Sequence, residues 1–213
     1  MTELKSAPGL FISLEGIDGS GKSTQAERLA KHLGQLGYDT LLTREPGGSP
    51  GAEDIRALVL QGAPERWSAE TEILLFTAAR RDHLERTIRP ALAAGKIVIC
   101  DRFADSTRMY QGQSRGNLRF LVDQLHALMI GVEPDVTLLI DMDPAVGLSR
   151  ALARKTAEER FEEFGEALQA AMRVGFLQLA EEFASRFIVI DGNRDAAEIA
   201  ADIAQKVALK LPR

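Results

Sequence analysis

The stretch that most restricts this chain is LEGIDGSGKSTQ, residues 14–25, set between an apolar run and a segment of helical period. Gly16, Gly21, Lys22 and Ser23 satisfy the spacing G-x-x-x-x-G-K-[ST]. Glycines at such positions let the backbone turn its N–H groups inward onto an anion. The N-terminus of the helix that follows adds about half a positive charge to that nest. The pattern therefore calls for a strand before it, a helix after it, and a sheet to carry both. It also assigns chemistry: Lys22 to the β- and γ-phosphates of a nucleoside triphosphate, and the Ser23 hydroxyl to Mg2+.

The rest of the chain supplies such a sheet. Five short apolar runs, at 10–14, 39–43, 96–100, 136–140 and 187–190, alternate with long segments of helical period. Ala26, Leu29, Ala30 and Leu33 trace one helix face, with Gly37 as its C-terminal stop. Ile55, Leu58 and Val59 trace a second, and Leu118, Leu121, Leu125 and Leu128 a third. Asp143-Pro144 reads as an N-cap followed by proline in the first turn. Ile199, Ile203 and Val207 form the last stripe. Strands alternating with helices predict an α/β, three-layer fold, a five-stranded parallel sheet flanked by helices. There is no repeat, linker or low-complexity tract, so residues 1–213 are expected to form one domain.

Composition narrows the setting. No stretch approaches the roughly 20 apolar residues of a membrane span, and the first residues, MTELKSAPG, lack the apolar core of a signal peptide. Cys100 is the only cysteine, which excludes an internal disulfide and suits the cytoplasm. A net charge of −5 argues against a protein that coats nucleic acid. Arginines nevertheless gather at 80/81, 102/108, 115/119 and 150/154/160. Brought together, they would make a basic pocket for a small polyanion; otherwise they are solvated helix faces.

Four of the apolar runs end in charge: Glu15, Arg44-Glu45, Asp101-Arg102 and Asp141. Ligands of open α/β sheets bind at the carboxyl ends of strands, so these charges are expected to converge on one crevice. Phe76 and Arg80 stand four apart on a helical segment and present a ring beside a guanidinium. A base stacks on such a ring while the guanidinium grips phosphate in bidentate fashion; ordinary core packing is the alternative for Phe76. Asp101 is a strand-end acid suited to hold Mg2+ through water, and Arg102 a second phosphate clamp. Thr107, Tyr110 and Gln111 add hydrogen-bonding groups, and an amide such as Gln111 can serve either edge of a base. An Asn-Lys-x-Asp guanine reader is absent.

Taken in order, EGIDGSGKST, TREPGG, FTAARR, DRFADST…YQG and ERFE resemble bacterial thymidylate kinases over nearly the whole chain. The resemblance implies transfer of the γ-phosphoryl of ATP to dTMP with Mg2+, by a homodimer. ATP would lie in the loop Gly16-Ile17-Asp18-Gly19-Ser20-Gly21-Lys22-Ser23-Thr24. For dTMP it implies Phe76 stacked on thymine, Arg80 at the phosphate and base carbonyl region, and Thr107 and Gln111 at the base edge. Tyr110 would lie against the sugar carbon that lacks a hydroxyl, and Arg102 would bridge the phosphates. Glu45, Pro46, Arg56 and Ser106 would line the monophosphate side, Glu45 with Ser23 and Asp101 also facing the metal. Asp18 would contact the deoxyribose hydroxyl or metal-bound water.

Some members of the family carry an arginine inside the phosphate loop; others bring it from a lid. Here the loop reads Gly19-Ser20, while residues 150–162 carry Arg150, Arg154 and Arg160. That resembles the lid-arginine subtype, with Lys22, Arg102, Arg154, Arg160 and Asp18 as the catalytic set and a short mobile lid. Glu159 departs from the aspartate common in the lid, and Arg108 is an unusual charge between base-reading positions with no assigned role. His126, Leu128 and Met129 are either core or dimer interface. A deoxynucleoside kinase, with Glu15 or Asp101 as base, and a non-enzymatic ATP-dependent module are the competing functions.

Overall fold

A computed structural model describes residues 9–63, 66–113, 116–153 and 165–211. Five strands, β1 (Leu10–Glu15), β2 (Thr40–Arg44), β3 (Ile97–Asp101), β4 (Val136–Asp141) and β5 (Phe187–Asp191), form one parallel sheet in the order β2-β3-β1-β4-β5. Each lies within one residue of its apolar run. Successive side chains point to opposite faces of a strand, and the core divides accordingly. Leu10, Ile12 and Leu14 of β1 join Ile97 and Ile99 of β3 on one face, while Phe11, Val98 and Cys100 join the core on the other.

The first face is covered by α1 (Lys22–Gln35) and α9 (Ala196–Ala208), whose Ala26, Leu29, Leu33, Ile199, Ile203 and Val207 are all buried there. α2 (Pro50–Leu60) and α3 (Ala69–His83) follow β2; α4 (Arg89–Ala93) leads into β3. α5 (Ala104–Thr107), α6 (Arg119–Leu125), α7 (Pro144–Ala153) and α8 (Glu166–Glu182) complete the helices. α8 covers the second face through Met172, Phe176 and Leu179. The arrangement is the expected layered α/β fold.

Local signals explain several boundaries. Gly37, at φ 90, follows α1; its N–H donates to Gly34 O and that of Tyr38 to Leu33 O, a Schellman stop. Asp143 Oδ1 accepts from the N–H groups of Ala145 (2.9 Å) and Val146 (3.3 Å) at the start of α7. Asp195 and Glu198 form a capping box on α9.

The third stripe differs from expectation. α6 passes into a π-helical turn at His126–Ile130, and the buried side is Val122, His126 and Ile130. The wider turn rotates later residues relative to a 3.6-residue period, so Leu128 emerges 77% exposed and Met129 beside it is also exposed. His126 belongs to the interior; Leu128 and Met129 do not.

Candidate active site

The phosphate loop leaves the carboxyl end of β1 in the middle of the sheet and closes onto α1. Lys22 is buried, and its Nζ donates to the carbonyls of Gly16 (3.0 Å) and Ile17 (2.8 Å) and reaches Ser20 Oγ at 3.4 Å. Burial, with Arg102 nearby, pushes its ammonium down to about 8. The loop thus holds a lysine across its own mouth, where incoming phosphate oxygens would restore the charge that burial disfavours.

Ser23 hydrogen-bonds Asp101 Oδ2 at the end of β3, and Asp101 Oδ1 is buried with no partner among the described residues. An unpartnered buried carboxylate oxygen beside a hydroxyl is a donor set that fits a hard cation. Among the described residues no three His, Cys, Asp or Glu side chains gather as a metal cage. Mg2+ needs none, because it keeps waters and is usually held by one or two side chains plus substrate phosphates.

Beside the loop opens a cleft of about 730 Å3, counting the open space at its mouth. Asp18, Glu45, Pro46, Arg56, Leu60, Phe76 and Arg80 line it, together with Arg102, Phe103, Ser106, Thr107, Tyr110 and Gln111. Every residue expected at the monophosphate is therefore in one cavity.

Its arginines are held in place. Arg80, 4% exposed, donates from Nε to Glu45 Oε2 (2.7 Å) and from Nη2 to Thr107 Oγ1 (2.9 Å) and Phe103 O (3.2 Å). Arg56 donates to Pro46 O at 2.6 Å. Arg102 bonds Asp18 and Ser106 Oγ (3.1 Å) while lying 5.3 Å over the Tyr110 ring, whose hydroxyl donates to Asp18 Oδ2 at 2.8 Å. Burial opposes ionisation of Asp18, but Arg102, Lys22 and the Tyr110 hydroxyl together hold its carboxyl below the usual range. Arg102 is the only non-glycine among the described residues with positive φ, at 70°. That conformation costs about 1–3 kcal/mol and is typical of sites where function fixes the backbone.

Not every strand-end charge joins the cleft. Arg44 turns outward to Glu53 at 3.2 Å, and Asp141 pairs with Arg173 of α8 at 2.6 Å. Glu15 lies beneath the cleft, where its carboxylate accepts from Phe103 N (2.7 Å), Ser106 N (3.3 Å) and Ser106 Oγ (2.6 Å). Burial, with Asp105 adding to it, raises Glu15 to about 7, yet both oxygens are occupied in holding the Asp101–Thr107 turn. Glu15 is a support, not a free base. Glu45 likewise has both oxygens engaged, by Arg80 and by His83 Nδ1 (3.0 Å). Arg81 pairs with Glu85, and Arg150 lies against Met142 Sδ at 3.6 Å. Arg115, Arg154, Glu159 and Arg160 fall outside the described residues.

Three supports were not assigned from the sequence. His83, fully buried, links Thr43 Oγ1 (2.8 Å) to Glu45 and so ties β2 to Arg80. Glu72 accepts from Gln111 Nε2 at 3.4 Å. Gly147 of α7 packs onto the phosphate loop: a Cβ on Gly19 would stand 1.9 Å from its carbonyl oxygen. Only His83 carried a signal, being three residues after Arg80 on the same helix.

Comparison with known proteins gives a consistent family. The thymidylate kinase family model matches residues 14–203. A thymidylate kinase of Ruegeria pomeroyi is 71% identical over 208 residues, covering 98% of this chain and 99% of that protein. One from Dinoroseobacter shibae is 68% identical over 196 residues, covering 92% and 95%. The crystal structure of thymidylate kinase from Ehrlichia chaffeensis superimposes with a TM-score of 0.75 at 36% identity, covering 94% and 99%.

Proposed function

The chain belongs to the thymidylate kinase family and phosphorylates dTMP to dTDP with ATP, and from that premise we propose how its residues divide the work. The observation that carries the proposal is the meeting of Arg56, Arg80, Arg102, Phe76, Thr107 and Gln111 in one cleft beside the phosphate loop. In this reading the loop from Gly16 to Thr24 holds ATP, with Lys22 on the β- and γ-phosphates. Phe76 stacks on thymine, and Thr107 and Gln111 read its edge. Arg80, Arg56 and Arg102 receive the monophosphate, Arg102 facing the donor as well. Asp18 fixes Arg102 and the Tyr110 hydroxyl beside the sugar, which sets the ring where a 2′-hydroxyl would fall.

Ser23 and Asp101 are the groups that would hold Mg2+, which when bound neutralises charge on the donor phosphates. Glu45, already spanning Arg80 and His83, acts as an orienting carboxylate. No general base is required, because the acceptor is already a phosphate oxygen and loose phosphoryl transfer asks little of one. The protein's contribution is in-line placement and preset positive charge. Arg154 and Arg160, from the lid, complete that charge on closure and exclude water.

We place the enzyme in the cytoplasm as a homodimer of one-domain subunits. Leu74 of α3 and Leu128 and Met129 are exposed, and Arg81 Nη1 bonded to Met129 O at 2.6 Å sets α3 beside the His126–Ile130 turn. Equilibrium sedimentation of Leu128→Asp against the native chain tests that face. The activity itself is tested by turnover with ATP and each of dTMP, dUMP, dCMP, UMP and thymidine. Preference for dTMP is expected, and preference for thymidine or a cytosine nucleotide overturns the cleft assignment.

A further inference from the structure

Arg108 stands between Thr107 and Tyr110 yet faces away from the cleft, 3% exposed. It begins a π-helical turn, Arg108–Gln113, that continues directly from α5. Its guanidinium is met by three carboxylates from three parts of the chain. Nη1 donates to Asp105 Oδ1 at 2.8 Å, Nε to Asp123 Oδ1 of α6 at 2.9 Å, and Nη2 to Glu133 Oε1 ahead of β4 at 2.5 Å. Its flat face lies 5.2 Å from the ring of Phe183 at the end of α8. Asp105, wholly buried, is gripped again by Arg186 at 2.7 and 2.8 Å. None of these partners lines the cleft.

Burying several charges is a poor way to gain stability, since desolvation offsets most of the attraction and apolar replacements often serve as well. What such a cluster does supply is geometry. A planar fork bonded in three directions fixes both the rotation and the height of the turn that carries it. π-Helical turns lack the uniform packing of an α-helix, so this one needs an external anchor. The same turn presents Tyr110 and Gln111 to the cleft, and the end of α5 just before it presents Thr107.

We propose that Arg108 is the positioning residue of the substrate-reading turn, holding Thr107, Tyr110 and Gln111 in register with the nucleotide from behind. The proposal rests on the reading that these three side chains contact dTMP. Loss of the anchor misplaces the acceptor pocket first: the phosphate loop meets this segment through the Tyr110 hydroxyl at Asp18 and through Glu15 at Ser106, while Lys22 is held by the loop's own carbonyls.

The test is steady-state kinetics on Arg108→Met and Arg108→Lys, the second keeping the charge but not the flat fork. Gln111→Leu serves as a control on the reading. For both Arg108 variants the KM for dTMP is expected to rise at least ~10-fold, in line with the cost of displacements near 1 Å. The KM for ATP should stay within about twofold, and dTMP should lose its power to raise the melting temperature while ATP keeps it. A role in folding alone would lower the melting temperature and leave both KM values per folded molecule unchanged. If Arg108→Met does not fold, Arg108→Lys decides. A folded Arg108 variant with near-native dTMP KM, alongside a damaged Gln111→Leu, overturns the anchor. Unchanged dTMP KM in all three overturns the reading of the pocket.

Discussion

The contact between Gly19 and Gly147 gives a perturbation whose size can be worked from the coordinates. A Cβ on Gly19 would stand 1.9 Å from the Gly147 carbonyl oxygen and 3.0 Å from its Cα. From 1.9 Å to an ordinary contact of 3.4 Å, loop and helix must part by about 1.5 Å. Gly19 also has φ 78, where a side chain costs about 1–2 kcal/mol. On Gly147 a Cβ meets Asp18 O at 2.8 Å and Ile17 Cδ1 at 3.0 Å, with no backbone penalty. There a shift of about 0.6 Å suffices. Misplacing a reacting group by ~1 Å costs on the order of 10²-fold. Gly19→Ala should therefore lower kcat at least ~10²-fold and Gly147→Ala less than ~10-fold. Calorimetric dTMP affinity should fall far less than kcat in both, since Asp18 is the one loop residue among those lining the cleft. The same crowding leaves no room for a side chain at Gly19: Gly19→Arg should not rescue a variant lacking Arg154 and Arg160. The reasoning fails if Gly19→Ala keeps kcat within about threefold, or if Gly147→Ala proves the more damaging.

Lys22→Ala should abolish detectable transfer while dTMP binding by calorimetry remains within about threefold, because Lys22 is bonded to the loop and not to the cleft. Tyr110→Ala should lower the ratio of kcat/KM for deoxy over ribo monophosphates, and Tyr110→Phe, which removes the hydroxyl bonded to Asp18 but keeps the ring, should keep it. An unchanged ratio in Tyr110→Ala places the steric wall elsewhere. Arg154→Ala or Arg160→Ala should cost at least ~10²-fold in single-turnover rate, as a contact confined to the transition state does. Near-native rates in both would move the search to Arg102.

The parts of the fold that were legible are those decided by local physics. A parallel sheet buried on both faces writes each strand as a continuous apolar run, so β1 to β5 lie within one residue of their expected places. Gly37 and Asp143 declared helix ends because only certain residues satisfy those backbone groups. The π-helical turn at His126–Ile130 has no such code, and it alone put Leu128 on the wrong side. In the site, Glu45, Asp101 and Arg102 were placed from their positions at strand ends. Arg44 and Asp141 occupy equivalent positions and went elsewhere, because Glu53 and Arg173 reached them first. Which carboxylate an arginine finds is a tertiary fact, and Arg108 with its three partners is the extreme case.

The same pairing rule gives the cleft its character. Three arginines crowded round one cavity repel one another, and unpaired they would spread into solvent. Here Arg80 is spaced by Glu45, Arg102 by Asp18, and Arg56 by the carbonyl of Pro46. Each partner in turn is fixed from behind, Glu45 by His83 and Asp18 by Tyr110. The carboxylates therefore lower the net field a phosphate meets, yet hold the guanidiniums where its charge will lie. In a water-poor cavity, donors already in place need no reorganisation as charge develops, and that saving outweighs raw attraction. Removing Glu45 or Asp18 would make the cleft more positive and a worse catalyst, because position rather than total charge is what the surrounding chain has been folded to supply.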